Sequence, residues 1–205
     1  MNEYGKMLTE IINSISGNYQ KNELAFLTLT SKIENPLRDK IAFEFQKKIG
    51  DKKLICREWV NKNDENNKSK ADIAILNKNG ELECVIEFKA HSSMKNISQW
   101  SKSLIDDVKK NQKSNRKSAI IFVLFANYIE KLPDDKIYIN SIKYYENLLK
   151  ATKLEYKLET IKNQWKKALK KRNIKCELTN ITIDTGKYEN QNIKIQAFIH
   201  ENITF

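Results

Sequence analysis

The chain is poor in the residues that build disulfide-linked or zinc-stapled folds. Its 205 residues include three cysteines, two histidines, two prolines and five glycines. Cys56, Cys84 and Cys176 are far apart and form no CxxC pair, so we expect reduced core residues. His91 and His200 are too few for a zinc cluster or for a catalytic motif built on histidines.

Long apolar segments and flexible linkers are also missing. The longest apolar run, Ala119 to Ala126, is too short to span a membrane. The first six residues, MNEYGK, do not begin a signal peptide. Proline and glycine are scarce, and we find no repeat or low-complexity linker. We therefore expect one cytoplasmic domain that covers residues 1–205.

Positive charge is what the chain has in excess. It carries 37 Lys and Arg against 26 Asp and Glu, for a net charge of +11. A surface of that charge attracts polyanions, with nucleic acid the first candidate and an anionic membrane the second. A compositional bias toward lysine and asparagine is the alternative explanation.

The first sixty residues predict helices followed by a strand. Apolar residues at helical spacing predict helices over residues 4–16 and 22–32. Asn35 as N-cap and Pro36 at the first helical position predict a third helix from Pro36 to Ile49 that ends at Gly50. Alternation over residues 53–60 predicts a strand.

The second half predicts a crossover helix, a buried strand and a terminal extension. A helix over residues 98–115 precedes the strand 118–127, which is apolar on both faces and is typical of a central parallel strand. A long helical region over residues 141–172, in one or two pieces, follows. Strands 174–184 and 192–199, joined by a turn at Gly186, end the chain.

Between these halves, residues 71–90 predict a β-hairpin. Asn79-Gly80 is the preferred pair for a two-residue type I′ turn. With that loop, paired residues have numbers that sum to 159. Asp72 then lies opposite Glu87, and Lys89 lies on the same face.

The two faces of this hairpin differ in character. Two carboxylates that face each other across a ladder repel, so a fold has little reason to pair Asp72 with Glu87 unless a cation lies between them. The other face predicts a core-facing set: Ile73, Ile75, Cys84, Ile86 and Phe88.

Asp72 followed by Glu87-Phe88-Lys89 resembles the motif of the PD-(D/E)xK nuclease superfamily, whose fold is called restriction-endonuclease-like. The resemblance covers residues 34–127, and Ala71 stands where the family name has proline. It implies an α/β fold with a mixed central sheet, a site-bearing hairpin, a crossover helix and a buried strand. Residues 128–205 would form a C-terminal helical and β extension.

The resemblance also implies Mg²⁺ as cofactor, with Mn²⁺ expected to substitute. Hard cations take oxygen ligands, which Asp72, Glu87 and the backbone carbonyl of Phe88 would supply. Glu34 would add a fourth oxygen from the preceding helix, and Glu44 is a less well aligned substitute. The alternative for Glu34 is that it caps the helix and pairs with Arg38 four residues further on.

Lys89 would orient or help to deprotonate the attacking water and stabilise charge on the phosphate. The catalytic residues implied are therefore Asp72, Glu87 and Lys89. The alternative is a solvated hairpin face with a Glu–Lys pair. His91 is expected at the surface of the loop after the motif, and Gln99 resembles a polar residue that some members use near the site.

The resemblance implies a Mg²⁺-dependent DNA endonuclease, most simply a stand-alone type II restriction enzyme that acts as a homodimer on double-stranded DNA. One alternative is a structure-specific repair, junction or phage-defence nuclease. Another is a basic nucleic-acid-binding module without chemistry. Three regions are candidates for the residues that read DNA bases: the loop 61–70, the region after Lys89 and the C-terminal third. Within that third, the basic run 162–172 is either a phosphate-tracking face or a helix C-terminus favoured by its dipole.

Overall fold

The computed structural model describes residues 2–60, 70–91, 97–112, 118–129, 136–142, 145–146, 149, 158–188 and 191–205. Of the predicted surface loop 61–70, residues 61–69 lie outside these residues, and Lys70 is the first residue of a strand rather than part of a loop. The helices are α1 (Glu3–Ser14), α2 (Glu23–Thr30), α3 (Glu34–Ile49), α4 (Ile97–Gln112), α5 (Lys136–Ser141) and α6 (Leu158–Lys171). The strands are β1 (Leu54–Val60), β2 (Lys70–Leu76), β3 (Leu82–His91), β4 (Ala119–Ile129), β5 (Lys175–Tyr188) and β6 (Gln191–Thr204).

The strands form one mixed sheet in the order β1-β2-β3-β4-β6-β5. β1, β2 and β3 are antiparallel, and β4 lies parallel to β3. A parallel neighbour requires a crossover, which α4 supplies. The expected α/β class, crossover helix and buried strand are therefore confirmed. The β5–β6 hairpin extends the sheet through antiparallel pairing of β6 with β4.

Helices pack against both faces of the sheet. On one face α1, α2 and α3 bury their apolar stripes against alternate residues of β2, β3, β4 and β6. The predicted core-facing set of the hairpin lies in this layer and is confirmed: Ile73, Ile75, Cys84, Ile86 and Phe88. On the other face α4 and α6 pack over β4 and β6, with Trp100 and Trp165 fully buried. Among the described helices, none is long and apolar enough to cross a membrane.

The two-residue turn predicted for the hairpin is wrong. The Gly80 amide donates to the Asn77 carbonyl (3.0 Å), and the Asn77 amide donates to the Glu81 carbonyl (2.9 Å), so three residues form the loop. Within it only Gly80 has a positive φ, 80°. The Asn77 side chain determines this geometry, because its Oδ1 accepts from the amides of Asn79 and Glu81, both at 2.9 Å.

The predicted register nevertheless holds beyond the loop. Leu76 pairs with Leu82, but Ile75 pairs with Cys84, so Glu83 is an extra residue in a β-bulge. From there the pairs Ile75–Cys84, Ala74–Val85 and Ile73–Ile86 all sum to 159. One extra loop residue and one bulged residue offset each other.

Three other predictions need correction. α3 begins at Glu34 rather than Pro36, with Ile33 at the cap position. Proline is tolerated there because first-turn amides have no intrahelical partner. Gly186 is not the turn of the last hairpin. It lies inside β5 at a register shift, with φ 95°. His91 is the last residue of β3 rather than a loop residue.

Candidate functional site

The end of the β2–β3 ladder brings Asp72 toward the chain of β3. Continuing the register one step past Ile73–Ile86 places Asp72 opposite Glu87. The Asp72 Oδ2 accepts a hydrogen bond from the Phe88 amide at 2.8 Å, which replaces a ladder bond. Its Oδ1 lies 3.7 Å from Nη1 of Arg38 on α3.

Glu87 is buried, with 2% of its surface exposed. Its Oε1 accepts from Nδ2 of Asn111 at 2.8 Å and lies 3.0 Å from Nζ of Lys110. Burial raises the pKa of Glu87 to about 7, against the opposing effects of Lys110 and Asn111, and the nearby Asp72 charge raises it further. At neutral pH this carboxyl is therefore near the midpoint of its titration.

Lys89 lies on the same strand and points to α4. Its Nζ is 3.1 Å from Oδ2 of Asp107, and Lys110 lies 3.9 Å from the other oxygen of that carboxylate. Burial lowers the pKa of Lys89, but attraction to Asp107, Asp72 and Glu34 outweighs burial, so the pKa is raised above its ordinary value. Lys89 is therefore a cation at neutral pH.

Glu34, in the first turn of α3, reaches the same strand at Ala90. Its Oε2 accepts from the Ala90 amide at 2.9 Å, and its Oε1 pairs with Lys32 at 2.8 Å. The proposed pairing of Glu34 with Arg38 does not form, because Arg38 instead contacts carboxylates that include Asp72.

Glu44 lies ten residues further along α3, about 15 Å along the axis. It pairs with Lys47 at 3.0 Å. The structure thus does not bring Glu44 to the hairpin, and it is no substitute for Glu34.

Every carboxylate of this cluster has a basic neighbour. The pairs are Glu34–Lys32, Asp72–Arg38, Glu87–Lys110 and Asp107–Lys89. A cluster of equal and opposite charges lowers the cost of burying acids. It also means that a cation entering the cluster competes with Arg38 and Lys110 for carboxylate oxygens.

The hairpin offers oxygen atoms of the type that Mg²⁺ prefers as ligands. Asp72 and Glu87 offer two carboxylates. Because the Phe88 amide points toward β2, its carbonyl points to the same side and offers a third hard oxygen. Within the part of the chain that the structure describes, no three His, Cys, Asp or Glu side chains form a metal-binding group. Mg²⁺ commonly uses one or two carboxylates and keeps several waters. The two carboxylates of Asp72 and Glu87 and the Phe88 carbonyl are therefore enough protein ligands for one Mg²⁺ ion. Ligation by Glu34 stays a prediction.

Four site residues were missed by sequence reasoning: Arg38, Asp107, Lys110 and Asn111. Asn111 carried a signal, since it occupies a core-facing position of α4 in line with Trp100, Leu104 and Val108. Arg38 is one turn after Glu34 on the inner side of α3. Asp107 and Lys110 gave no signal beyond lying three residues apart on one helix.

Among the described residues, neither His91 nor Gln99 makes a hydrogen bond or ion pair with a carboxylate of the cluster. His91 stacks on Trp100, with ring centroids 4.4 Å apart, and burial lowers its pKa to about 4. The expectation of a surface histidine is wrong, because the ring is packed. Gln99 is exposed in the first turn of α4, eight residues or about 12 Å from Asp107 along the axis.

Comparison of the chain with protein-family models, with curated proteins and with solved structures found no match in any of the three. The functional assignment therefore depends on the geometry of the site itself.

Proposed function

We propose that this protein is a Mg²⁺-dependent endonuclease that hydrolyses phosphodiester bonds of DNA. The observation that carries the proposal is the end of the hairpin ladder, where the next residues after the pair Ile73–Ile86 are Asp72 and the buried Glu87. The Asp72 carboxylate accepts from the Phe88 amide at 2.8 Å, and Lys89 follows Glu87 by two residues and so lies on the same face of β3. Burial raises the pKa of Glu87 to about 7, and carboxyls with raised pKa values cluster at sites of chemistry.

The order of elements supports a restriction-endonuclease-like core. α3, the antiparallel strands β1, β2 and β3, the crossover α4 and the parallel strand β4 follow the order expected from the resemblance. The C-terminal elements α5, α6, β5 and β6 then form the extension. A cytoplasmic location and a homodimer on double-stranded DNA remain parts of the proposal.

Each site residue has a defined task under this proposal. Asp72, Glu87 and the Phe88 carbonyl would hold Mg²⁺, which when bound polarises a phosphate and lowers the pKa of a water. Lys89 stabilises negative charge on the phosphate as a cation, because its raised pKa disfavours a role as base. Asp107 positions Lys89, and Asn111 holds the Glu87 carboxyl in place.

The test is cleavage of supercoiled plasmid by purified protein in Mg²⁺ or EDTA. Asp72→Asn, Glu87→Gln and Lys89→Met are each expected to lower the rate at least about a hundredfold, the usual effect of removing one transition-state contact. Asp106→Asn is the matched control, since Asp106 is exposed on α4 next to Asp107. It should cut like the wild type.

The products distinguish the kinds of nuclease. Discrete fragments indicate a restriction-type enzyme, smears a nonspecific defence enzyme, and cleavage only of branched DNA a junction enzyme. If the wild type cuts neither DNA nor RNA in Mg²⁺, the nuclease assignment is wrong, and a non-catalytic binding module is the function left.

A further inference from the structure

A concave feature lies between the start of α4 and the end of α6, and we call it the α4–α6 cleft. It has a volume of about 410 Å³. Its polar lining comes from Ser98, Ser101, Gln164, Lys167, Lys171 and Arg172. Three of these side chains are cationic and none of the lining residues is acidic, so the cleft favours an anion.

Arg172 is held in a fixed orientation without a carboxylate. Its Nε donates to Oγ of Ser101 at 2.7 Å, and its Nη2 donates to the carbonyl and Oγ of Ser98 at 3.0 and 3.1 Å. These bonds use one edge of the guanidinium. Among the described residues no acceptor bonds to Nη1, whose donors are left for a ligand, and a planar guanidinium suits phosphate oxygens.

The exposed face of α6 extends this positive charge. Lys166, Lys167, Lys170 and Lys171 are exposed, and no ion pair forms for any of the four within the described residues. Like charges at i and i+4 destabilise a helix. Capping of the helix dipole accounts for charge in the last turn, but not for Lys166 and Lys167 one turn earlier.

The cleft is close to the carboxylate site. Ser101 and Asp107 are six residues apart on α4, about 9 Å along the axis. Phosphates of one strand follow each other every 3.4 Å along a duplex axis, so this separation corresponds to about three base-pair steps.

We propose that the α4–α6 cleft is a phosphate-binding subsite that holds the backbone of duplex DNA beside the carboxylate site. The proposal deepens the nuclease assignment, on which the identity of the partner depends. Arg172 binds one phosphate through its free edge, and Lys167 and Lys171 neutralise the flanking phosphates.

DNA fits this surface better than a membrane does. A helix that binds membranes presents aromatic or leucine side chains at its exposed face. In α6 the large apolar residues Ile161, Trp165 and Leu169 are instead buried against the sheet. Among the described side chains of α6, the exposed ones are polar or charged.

The experiment measures binding of a fluorescent 20-base-pair duplex by anisotropy in EDTA, where no cleavage occurs, at several salt concentrations. Lys167→Ala with Lys171→Ala is the main variant, because both side chains are exposed and the fold should tolerate their loss. Arg172→Met is the second. The matched control, Lys6→Ala with Lys21→Ala, removes the same charge from exposed positions in and after α1, on the other layer of the molecule.

We expect the lysine pair variant to bind about tenfold more weakly, with the salt slope of log K smaller by about 2. Arg172→Met should reduce the slope by about 1, with a cooperative melting transition as evidence that the variant is folded. The control should keep the wild-type slope. Variants that match the control, or vesicles of anionic lipid bound more tightly than the duplex, would overturn the subsite.

This outcome is separable from that of the proposed function. Duplex binding that depends on Lys167 and Lys171, without cleavage in Mg²⁺, would refute the nuclease and support the subsite. Cleavage by the wild type, together with variants that bind the duplex normally, would support the nuclease and refute the subsite.

Discussion

The two hairpins of the sheet bury polar groups in opposite ways. In β6, Gln196 and His200 are neutral and fully paired, while the buried acid Glu201 lies near the end of the strand and accepts from the Asn2 amide at 3.0 Å. Gln196 donates to the Ile181 carbonyl at 2.8 Å and accepts from Thr182 at 3.0 Å. His200 accepts from the indole of Trp165 at 2.8 Å, so its Nδ1–H donates to the Phe122 carbonyl at 2.9 Å.

In β3, the buried group is an ionisable acid held by long side chains that reach in from α4. Glu87 has a raised pKa, and its partner Lys110 is partly exposed and also donates to the Lys70 carbonyl at 2.8 Å. The β6 network stabilises one fold, because each buried polar group is satisfied. The β3 cluster instead retains charge at a cost in stability, as the proposed cation and phosphate site would require.

The largest effect is expected where the neutral network is broken. His200→Ala leaves the Trp165 donor and the Phe122 acceptor buried and unpaired and opens a cavity. We expect a loss of about 3 to 5 kcal/mol in the free energy of unfolding, measured by urea denaturation. His91→Ala is the control, because that ring is only partly buried, and its loss should be clearly smaller. Equal losses would contradict the contrast between the networks.

Removing the buried acid from the charged cluster should raise, rather than lower, the free energy of unfolding. An acid whose folded pKa is raised to about 7 makes the protein less stable as pH rises from 4.5 to 7, because the folded state binds more protons than the unfolded state. Glu87→Gln should therefore be more stable than wild type at pH 8, by about 3 kcal/mol, and equal at pH 4.5.

The control for this experiment is Asp106→Asn. The buried histidines, whose lowered pKa values destabilise the fold as pH falls below 6.5, are common to both proteins and cancel in the difference. A Glu87→Gln protein less stable than wild type at pH 8 would show that the ion pair with Lys110 outweighs burial.

Mg²⁺ should give a smaller effect that depends on pH. At ten times its dissociation constant, Mg²⁺ should stabilise the wild type by about 1.4 kcal/mol, or a melting shift of about 3 to 6 °C for a chain of this size. The shift should be smaller at pH 5.5, because Glu87 is then protonated. Thermal denaturation of Asp72→Asn should show no shift at either pH, and a full shift there would place the metal elsewhere.

The smallest effect tests the hairpin loop. Gly80→Ala should lose about 1 kcal/mol, because alanine disfavours a φ of 80° while its Cβ would meet no atom within 4 Å. Asn79→Ala should be near neutral, since Asn79 does not have a positive φ. A type I′ turn would make both costly, so urea denaturation of the two variants distinguishes the turns.

Elements with local signals were predictable from the sequence. The apolar periodicity of α1 and α4 and the fully apolar β4 gave their types and approximate bounds. The errors in element bounds and turn types came from residues that are compatible with two local structures. Pro36 can occupy more than one first-turn position, and Asn79-Gly80 also suits a three-residue loop once Asn77 caps it. Gly186 provides positive φ for a bulge as readily as for a turn.

The candidate site was predictable only along the hairpin. Asp72, Glu87 and Lys89 share a face by strand periodicity, and that requires no knowledge of distant parts of the chain. Arg38 and Asp107 enter through helix packing, with partners 34 and 18 residues away in the chain. Such pairings follow from tertiary packing, which one sequence does not reveal.

The bulge at Glu83 separates the tip of the hairpin from the end that carries the acids. This separation has a use in protein engineering. The pairing register of β2 and β3 shifts by one residue between Ile75 and Leu76. Residues added between Lys78 and Asn79 therefore need not change the register of the part of β3 that carries Glu87. The exposed tip is therefore a natural insertion point for an affinity tag or a fluorescent reporter. A fusion there would display its cargo on the opposite end of the strands from the acids.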